Sequence, residues 1–264
     1  MKQKDNQTPK QGHSANMLLY AVAPQPKLST DAIALDGAVV SRGNGIGATS
    51  ETYLMDCIVG MKHYPDKYFD LAVVDPPYGI GEDGRKNHTR GVLTKSNDYR
   101  NNSKYDNATP TEEYFAELLR VSKNQIIWGG NYFIQHLYNT SCFVVWDKNN
   151  GENDFADCEL AWTSFDTACR KFKWTWHGML QENMKNKEHR IHPNQKPIAL
   201  YKWLLKKYAK DGDRILDTHL GSGSNRIAAH ELGFSFTGFE IDEEYYYMQE
   251  GRFEKYQSQL KINF

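Results

Sequence analysis

From Thr52 onward, short apolar runs alternate with amphipathic stretches, and this alternation constrains the fold more than any other feature. TYLMDC, FDLAVVD, NQIIWGG, CFVVWDK, ELAWTSF, RILD and FSFTGFEID read as strands. EEYFAELLRVS, KPIALYKWLLKKYA, SNRIAAHEL and EEYYYMQEGRFEKYQSQL read as helices. In the second of these, Leu200, Tyr201, Leu204, Leu205 and Tyr208 fall at helical spacing. Thr109-Pro110-Thr111-Glu112 predicts a capping box at the start of the first, with Pro at the first helical position. Apolar strands separated by helices imply an α/β fold, a mostly parallel sheet covered on both faces.

Residues 1–50 show little periodicity and many breakers, and they are expected to be a poorly structured N-terminal extension. Within them GNGIGA has the outline of a nucleotide-binding turn. It leads into the strand-like ETYLMD rather than a helix, so that reading is rejected. The remaining residues, 51–264, read as one domain.

Of 264 residues, 39% are hydrophobic and 25% charged, enough for a sizeable core in a soluble protein. No apolar run approaches the roughly 18 residues of a membrane span. The four cysteines form no CxxC pair and no metal-ligand spacing, so no metal is expected and reduced thiols in the cytoplasm are the simplest reading. The net charge of −1 hides an uneven distribution. From Phe165 to Lys210 there are eleven Lys/Arg against three Asp/Glu, whereas from Asp211 to Phe264 there are five against ten. Such a chain can meet a polyanion on one face, although lysine-rich helices also simply solvate themselves.

Ligands of an open parallel sheet bind beyond the carboxyl ends of its strands, and two such ends stand out. In RILDTHLGSGSNRIAAHELG, Asp217 closes a strand and Gly221-Ser222-Gly223-Ser224 turns into a helix. Glycine allows close approach of a ligand to the backbone, and the helix N-terminus offers free N–H groups. Glu240 closes TGFE about 20 residues later, where an acid can accept from ribose hydroxyls. Together these suggest an adenosine-type pocket; the alternative is a tight strand-to-helix turn without a ligand. The other end is Asp75-Pro76-Pro77-Tyr78. Its prolines fix φ and lack N–H groups, leaving carbonyls, the Asp75 carboxylate and an aromatic face. This suits an amine on a stacked ring, or merely a stiffened loop with a capping aspartate.

DPPY is similar to the catalytic motif of amino-DNA methyltransferases, in the form usual for N6-adenine enzymes. ILDTHLGSGS resembles their cofactor loop, with Thr218 and His219 where Pro and Phe are usual. HPNQKP, His192 to Pro197, resembles their HPTQKP segment, with Asn194 for Thr. The catalytic motif precedes the cofactor loop, the circularly rearranged order of the β-class. The likeness runs from about Thr52 to Phe253, and IIWGGNYF, VVWDK and ELAWTSF also look like members found in phages and mobile elements.

The resemblance implies a Rossmann-like fold with a seven-stranded sheet and S-adenosylmethionine as cofactor. It implies site-specific DNA methylation of the restriction–modification kind, by direct transfer to N6 of an adenine flipped out of double-stranded DNA. Asp75, Pro76, Pro77 and Tyr78 would be catalytic. Asp56, Cys57, Asp75, Lys196, Asp217, His219, Gly221, Ser222, Gly223, Ser224, Glu240 and Ile241 would line the cofactor, with Glu240 on the ribose, Asp56 near the adenine and Lys196 near the methionine carboxylate. Residues 81–108 would form a mobile loop and 166–191 a short target-recognition insert. Arg85, Lys86, Arg90 and Lys95 of the loop, with Arg170, Lys171, Lys173, Lys185, Lys187 and Arg190 of the insert, would bind DNA. So short an insert suggests a short target, help from the loop, or a homodimer. The rival readings are N4-cytosine methylation, a methyltransferase acting on RNA or protein glutamine, and a non-catalytic DNA-binding module.

Overall fold

The alternation read from the sequence becomes one twisted sheet in the computed structural model, which describes residues 39–44, 48–81, 106, 108–151, 156–177 and 180–260. The strands are β1 (Val39–Asn44), β2 (Thr49–Leu54), β3 (Phe69–Val74), β4 (Ser122–Trp128), β5 (Phe143–Asp147), β6 (Cys158–Thr163), β7 (Arg170–Lys173), β8 (Trp176–His177), β9 (Leu180–Gln181), β10 (Arg214–Asp217) and β11 (Ser235–Glu240). The helices are α1 (Cys57–Met61), α2 (Glu112–Val121), α3 (Ile198–Tyr208), α4 (Ser224–Glu231) and α5 (Glu243–Leu260). The main sheet has nine strands in the order β1-β2-β11-β10-β3-β4-β6-β5-β7, while β8 and β9 form a separate hairpin.

The seven strands expected from the sequence are the inner seven. From β2 to β4 they are mutually parallel; β6 then runs antiparallel between β4 and β5. One strand is added at each edge. At one edge β1 pairs antiparallel with β2, so ordered sheet begins inside the stretch expected to be poorly structured. Gly43, the first glycine of the rejected nucleotide motif, lies within β1 opposite Ser50 of β2, and residues 45–47 lie outside the described residues. At the other edge β7, with the sequence RKFK, pairs parallel with β5. Three cations in four residues hide it from an apolar-run search, and charge is what blunts an exposed sheet edge.

Successive side chains of a strand point to opposite faces. Accordingly Leu71 and Val73 of β3 join one buried cluster with Ile126, Ile215, Leu200, Leu204 and Ala228, beneath α3 and α4. Ala72 and Val74 join the other with Ile127, Leu216, Met61, Tyr114 and Leu118, beneath α1 and α2. The helix α2 starts at Glu112, as EEYFAELLRVS predicts, but its cap is not Thr109. Its cap is Thr111, whose hydroxyl accepts from the Tyr114 N–H at 3.4 Å, and Glu112 and Glu113 open the first turn. Thr109 and Pro110 precede the helix, because the extended backbone of Thr111 (φ −78°, ψ 166°) is what lets its side chain turn back onto the first turn.

Arg226 of α4 is fully buried, with its guanidinium donating to Glu250 at 2.7 Å, Gln249 at 3.1 Å and Ser50 at 2.9 Å. It thereby ties α4 to α5 and β2. Among the described residues, no helix is long and apolar enough to cross a membrane.

Gly60 lets α1 lie directly on β11: a Cβ there would sit 2.3 Å from the Phe239 ring. Gly60→Val should therefore lower stability by about 1–3 kcal/mol through overpacking. Thermal denaturation of the variant against the native chain measures it, and an unchanged midpoint contradicts this account.

Candidate active site

The carboxyl ends of β3 and β10 are neighbours. Ile215 pairs with Leu71 and Leu216 with Ala72, so Asp75 and Asp217 leave the sheet side by side. Chain order reverses between them: β3 leads toward β4, and β10 leads toward β11 on the other side. That is the crevice where an open α/β sheet takes its ligand. Asn225, in the first turn of α4, joins the two ends. Its amide donates to the Val73 carbonyl at 3.0 Å and to Asp217 Oδ2 at 3.1 Å.

On the β3 side the chain turns through Asp75-Pro76-Pro77-Tyr78. The Tyr78 hydroxyl donates to Asp75 Oδ1 at 2.7 Å, and the Lys196 ammonium donates to Asp75 Oδ2 at 2.5 Å. Lys196 also reaches Tyr78 OH at 3.1 Å and Glu159 Oε2 at 3.0 Å, and Glu159 in turn pairs with Lys148 at 2.5 Å. Two backbone bonds pin the far side of the turn: Gly79 N–H donates to Asp106 Oδ1 at 2.8 Å and Gly81 N–H to the Asp106 carbonyl at 2.9 Å. Behind Tyr78, Gly129 adopts a left-handed φ of 71°, and a Cβ there would lie 2.3 Å from the tyrosine ring. The ring of Tyr132 lies nearly parallel to that of Tyr78, 5.1 Å between centroids and 15° apart, and is 42% exposed.

On the β10 side, Asp217 Oδ1 accepts from the His219 N–H at 3.1 Å. Glu240, at the end of β11, accepts from the Gly221, Ile241 and Asp242 N–H groups at 2.8, 3.0 and 3.0 Å. Gly221 and Gly223 have φ of 50° and 71°, and a Cβ on Gly221 would meet nothing closer than the His192 ring at 3.8 Å. The turn is thus held open by its own backbone. Ser222 and Ser224 face inward instead. Arg252 donates to the Ser222 carbonyl at 2.7 Å and to Ser224 Oγ at 2.9 Å, and its other nitrogen pairs with Glu188 at 2.9 Å. Glu188 also accepts from Ile198 N–H at the start of α3, anchoring the insert to the site.

Three carboxylates at these strand ends are destabilised as anions. Burial pushes Asp217 up to about 8 and raises Glu240 above the usual carboxylate range. Burial also raises Asp75, more than the Lys196 ammonium lowers it. Glu159 goes the other way: burial works against its charge, but Lys196 and Lys148 together hold it down at about 2. An open glycine turn flanked by acids poorly compensated by cations fits a positively charged, adenosine-bearing ligand.

Several expected roles fall differently. Lys196, expected near the cofactor carboxylate, has its ammonium against Asp75 and Glu159, because two buried acids draw the nearest cation. Asp56 caps α1, accepting from Ile58 and Val59 N–H at 2.8 and 3.0 Å. Burial pushes the Cys57 thiol up to about 12, so it stays protonated. Ile241 stands 70% exposed just past Glu240. Of the insert, Arg170, Lys171, Lys173, Lys185 and Lys187 are on the surface, with Lys171 paired to Asp147 at 3.4 Å. Arg190 instead packs its guanidinium 4.4 Å from the centre of Trp176, a core residue whose indole N–H donates to the Gln195 carbonyl. Arg85, Lys86, Arg90 and Lys95 lie outside the described residues. Among the described residues, no group of three or more His, Cys, Asp or Glu is placed to hold a metal.

Glu159, Tyr132, Asn225 and Asp106 were not singled out in the sequence. Glu159 carried one signal, an acid inside the otherwise apolar ELAWT run.

A model of the DNA methylase family (N6_N4_Mtase) matches residues 145–250. Over that stretch, about two fifths of its length, the chain is similar to N6/N4-type DNA methylases. The Type II methyltransferase M.HinfI of Haemophilus influenzae is 26% identical over 75% of this chain and 66% of its own length, just under two thirds of that relative. Type II methyltransferase M2.MboI of Moraxella bovis is 24% identical over 80% of this chain and 90% of its own. The solved structure of the PvuII DNA methyltransferase, described as cytosine-N4-specific, shares the fold with a TM-score of 0.51, at 13% identity over 83% of this chain and 94% of that one.

Gly129→Ala is expected to displace the Tyr78 ring and to cost about 1–2 kcal/mol for the left-handed backbone alone. A lowered melting midpoint would show it; a variant as stable as the native chain would refute it.

Proposed function

We propose that this chain transfers a methyl group from S-adenosylmethionine to the exocyclic N6 amine of an adenine extruded from double-stranded DNA. The observation that carries the reading is the adjacency of the Asp-Pro-Pro-Tyr corner and the Gly-Ser-Gly turn, joined through Asn225. The open turn at Gly221, the carboxylate of Glu240 and the exposed Ile241 would hold the cofactor's adenosine, with Asp217 beneath its methionine portion. Bound there, the cofactor supplies an electrophilic methyl group on a sulfonium leaving group.

The chain's own part is to make a poor nucleophile reactive. The lone pair of an adenine amine is delocalised into the ring. Asp75 and the Pro76 carbonyl would each accept one N–H, which favours a tetrahedral nitrogen and stabilises the positive charge it acquires. Asp75 would face the positive charge that the nitrogen carries until one amine proton is lost to solvent. Tyr78, backed by Tyr132, offers a face on which an extruded base can stack, worth about 1–3 kcal/mol. That offsets part of the few kcal/mol needed to unstack it. Aligned reactants supply much of the remaining acceleration.

Adenine is preferred over N4-cytosine because the corner carries Asp75, where the cytosine subclass resembled by such sequences usually carries Ser. The surface cations of β7 and of the segment after β9 would meet the DNA backbone. A second copy of the chain as partner fits an insert this short.

Asp75→Ala should reduce transfer to duplex DNA by at least about 10²–10³, with S-adenosylmethionine affinity changed less than tenfold. Glu240→Ala should weaken that affinity instead. Radiolabel transfer and calorimetry separate the two, and normal turnover of the Asp75 variant sinks the reading. Label found in N4-methylcytosine, RNA or protein would redirect it to those substrates.

Cofactor binding should also release protons. With its folded value near 8, Asp217 is largely protonated at pH 7. A cationic ligand favours the ionised form, so affinity should climb as pH rises toward 8 and level off above it. Calorimetry at pH 7 in buffers of different ionisation enthalpy reads the protons directly; uptake instead of release would contradict the assignment.

A further inference from the structure

Asp75 is fully engaged before any substrate arrives. Tyr78 holds Oδ1 and the Lys196 ammonium holds Oδ2. An amine that donates to this carboxylate therefore meets a rival donor already in place. Lys196 is 4% exposed, so its charge has no route to water within the site. It does have a second acid: Glu159 Oε2 lies 3.0 Å from the same ammonium. Glu159 comes from β6, two strands away from β3, and is itself fixed by Lys148 at 2.5 Å. The faces of Trp128 and Tyr78, 5.4 and 5.6 Å from the ammonium, flank it on the way.

We infer that Lys196 is a built-in stand-in for the target amine: it occupies Asp75 between turnovers and withdraws onto Glu159 when the substrate takes its place. Lys196 and Glu159 are then positioning residues for Asp75, an assignment that rests on the methyl-transfer reading above. The exchange is balanced. Two carboxylates and two ammonium groups form a neutral cluster, and a neutral amine enters it without adding charge. One N–H donor replaces another on Oδ2, while Lys196 keeps an ion pair throughout. Its flexible four-carbon stem makes a short excursion possible where a guanidinium fork would be more constrained. Once the methyl group arrives, the positive charge on the nitrogen faces Asp75 with the competing cation drawn away.

The groups that face Asp75 are few in kind. Besides Tyr78 and Lys196 they are Glu159 of β6, Tyr201 of α3, Tyr114 of α2 and Asp217 of β10. Burial keeps the tyrosines neutral. His192 faces Lys196 and is neutral as well, pushed down to about 3 by burial and by that ammonium. Lys196 is thus the cation that favours an ionised Asp75, and Glu159 is a neighbour that opposes it.

The test is single-turnover methyl transfer to duplex DNA as a function of pH, with S-adenosylmethionine calorimetry confirming that each variant is folded. Lys196→Met removes both rival and cation. The pH at which the rate is half-maximal should move up by about 1–3 units, with KM for DNA no higher than in the native enzyme. Lys196→Arg should restore the native limb. Glu159→Gln should do the reverse, moving the limb down and raising KM for DNA about tenfold or more, because Lys196 loses its retreat. If Lys196→Met fails to bind cofactor, Glu159→Gln carries the test alone. Equal rate losses with unmoved limbs overturn the inference and leave the methylase reading standing. A native chain that binds cofactor but methylates no DNA removes both.

Discussion

The side-by-side exit of β3 and β10 from the sheet is the constraint on which the rest depends. Parallel pairing of Leu71 with Ile215 and Ala72 with Leu216 fixes where Asp75 and Asp217 emerge. Asn225 then bonds to both strands through one amide. A slip of one residue in this register would turn Val73 and Ile215 out of one cluster and into the other. It would also separate the corner that presents acceptors from the turn that presents open backbone. The two buried clusters, one on each face, hold that register, so the packing of the whole domain specifies the site.

The same crevice concentrates charge in a way that works against stability. For Asp217 the folded value of about 8 lies above its unfolded value, so the folded state binds the proton more tightly. The associated stability is present at acid pH and declines as pH rises toward 8. Asp75 and Glu240 shift in the same direction. Elsewhere in the fold, buried guanidinium groups lie against carboxylates, Arg226 against Glu250 and Arg252 against Glu188, although burial still raises Glu188. At the strand ends, a cationic ligand bound to the folded state would add to its stability.

Sequence periodicity made the inner seven strands and both corners legible, because each is local: an apolar run closed by an acid, or glycines between a strand and a helix. What escaped it was of two kinds. β1 and β7 lack apolar runs and are strands only because an edge was available to pair with. The cap of α2 was misplaced by two residues, since Thr109 and Thr111 present the same chemistry and only the backbone distinguishes them. The second kind is pairing through space. Lys196 and Asp75 are 121 residues apart, and nothing in either neighbourhood announces the other. A resemblance to a family motif supplied the presence of Lys196 but pointed its ammonium toward the cofactor. Glu159, which decides where that ammonium rests, has no motif at all.

Two residues of this turn depart from the cofactor loop that it resembles. His219 stands where Phe is usual. Burial pushes it down to about 4, so it is a neutral ring at physiological pH. That ring meets Tyr114 edge-on, 5.3 Å between centroids and 69° apart, as an aromatic pair should. Thr218, in the place of Pro, loses a fixed φ but gains a hydroxyl. It shares a hydrogen bond of 2.8 Å with Tyr114 OH and another of 2.9 Å with His219 Nδ1. Tyr114 belongs to α2, the helix that follows the long polar segment after the Asp-Pro-Pro-Tyr corner. These two residues therefore keep a ring and add a polar tie from α2 to the Gly-Ser-Gly turn. The corner thus presents an aromatic surface held in place by hydrogen bonds that link Tyr114, Thr218 and His219.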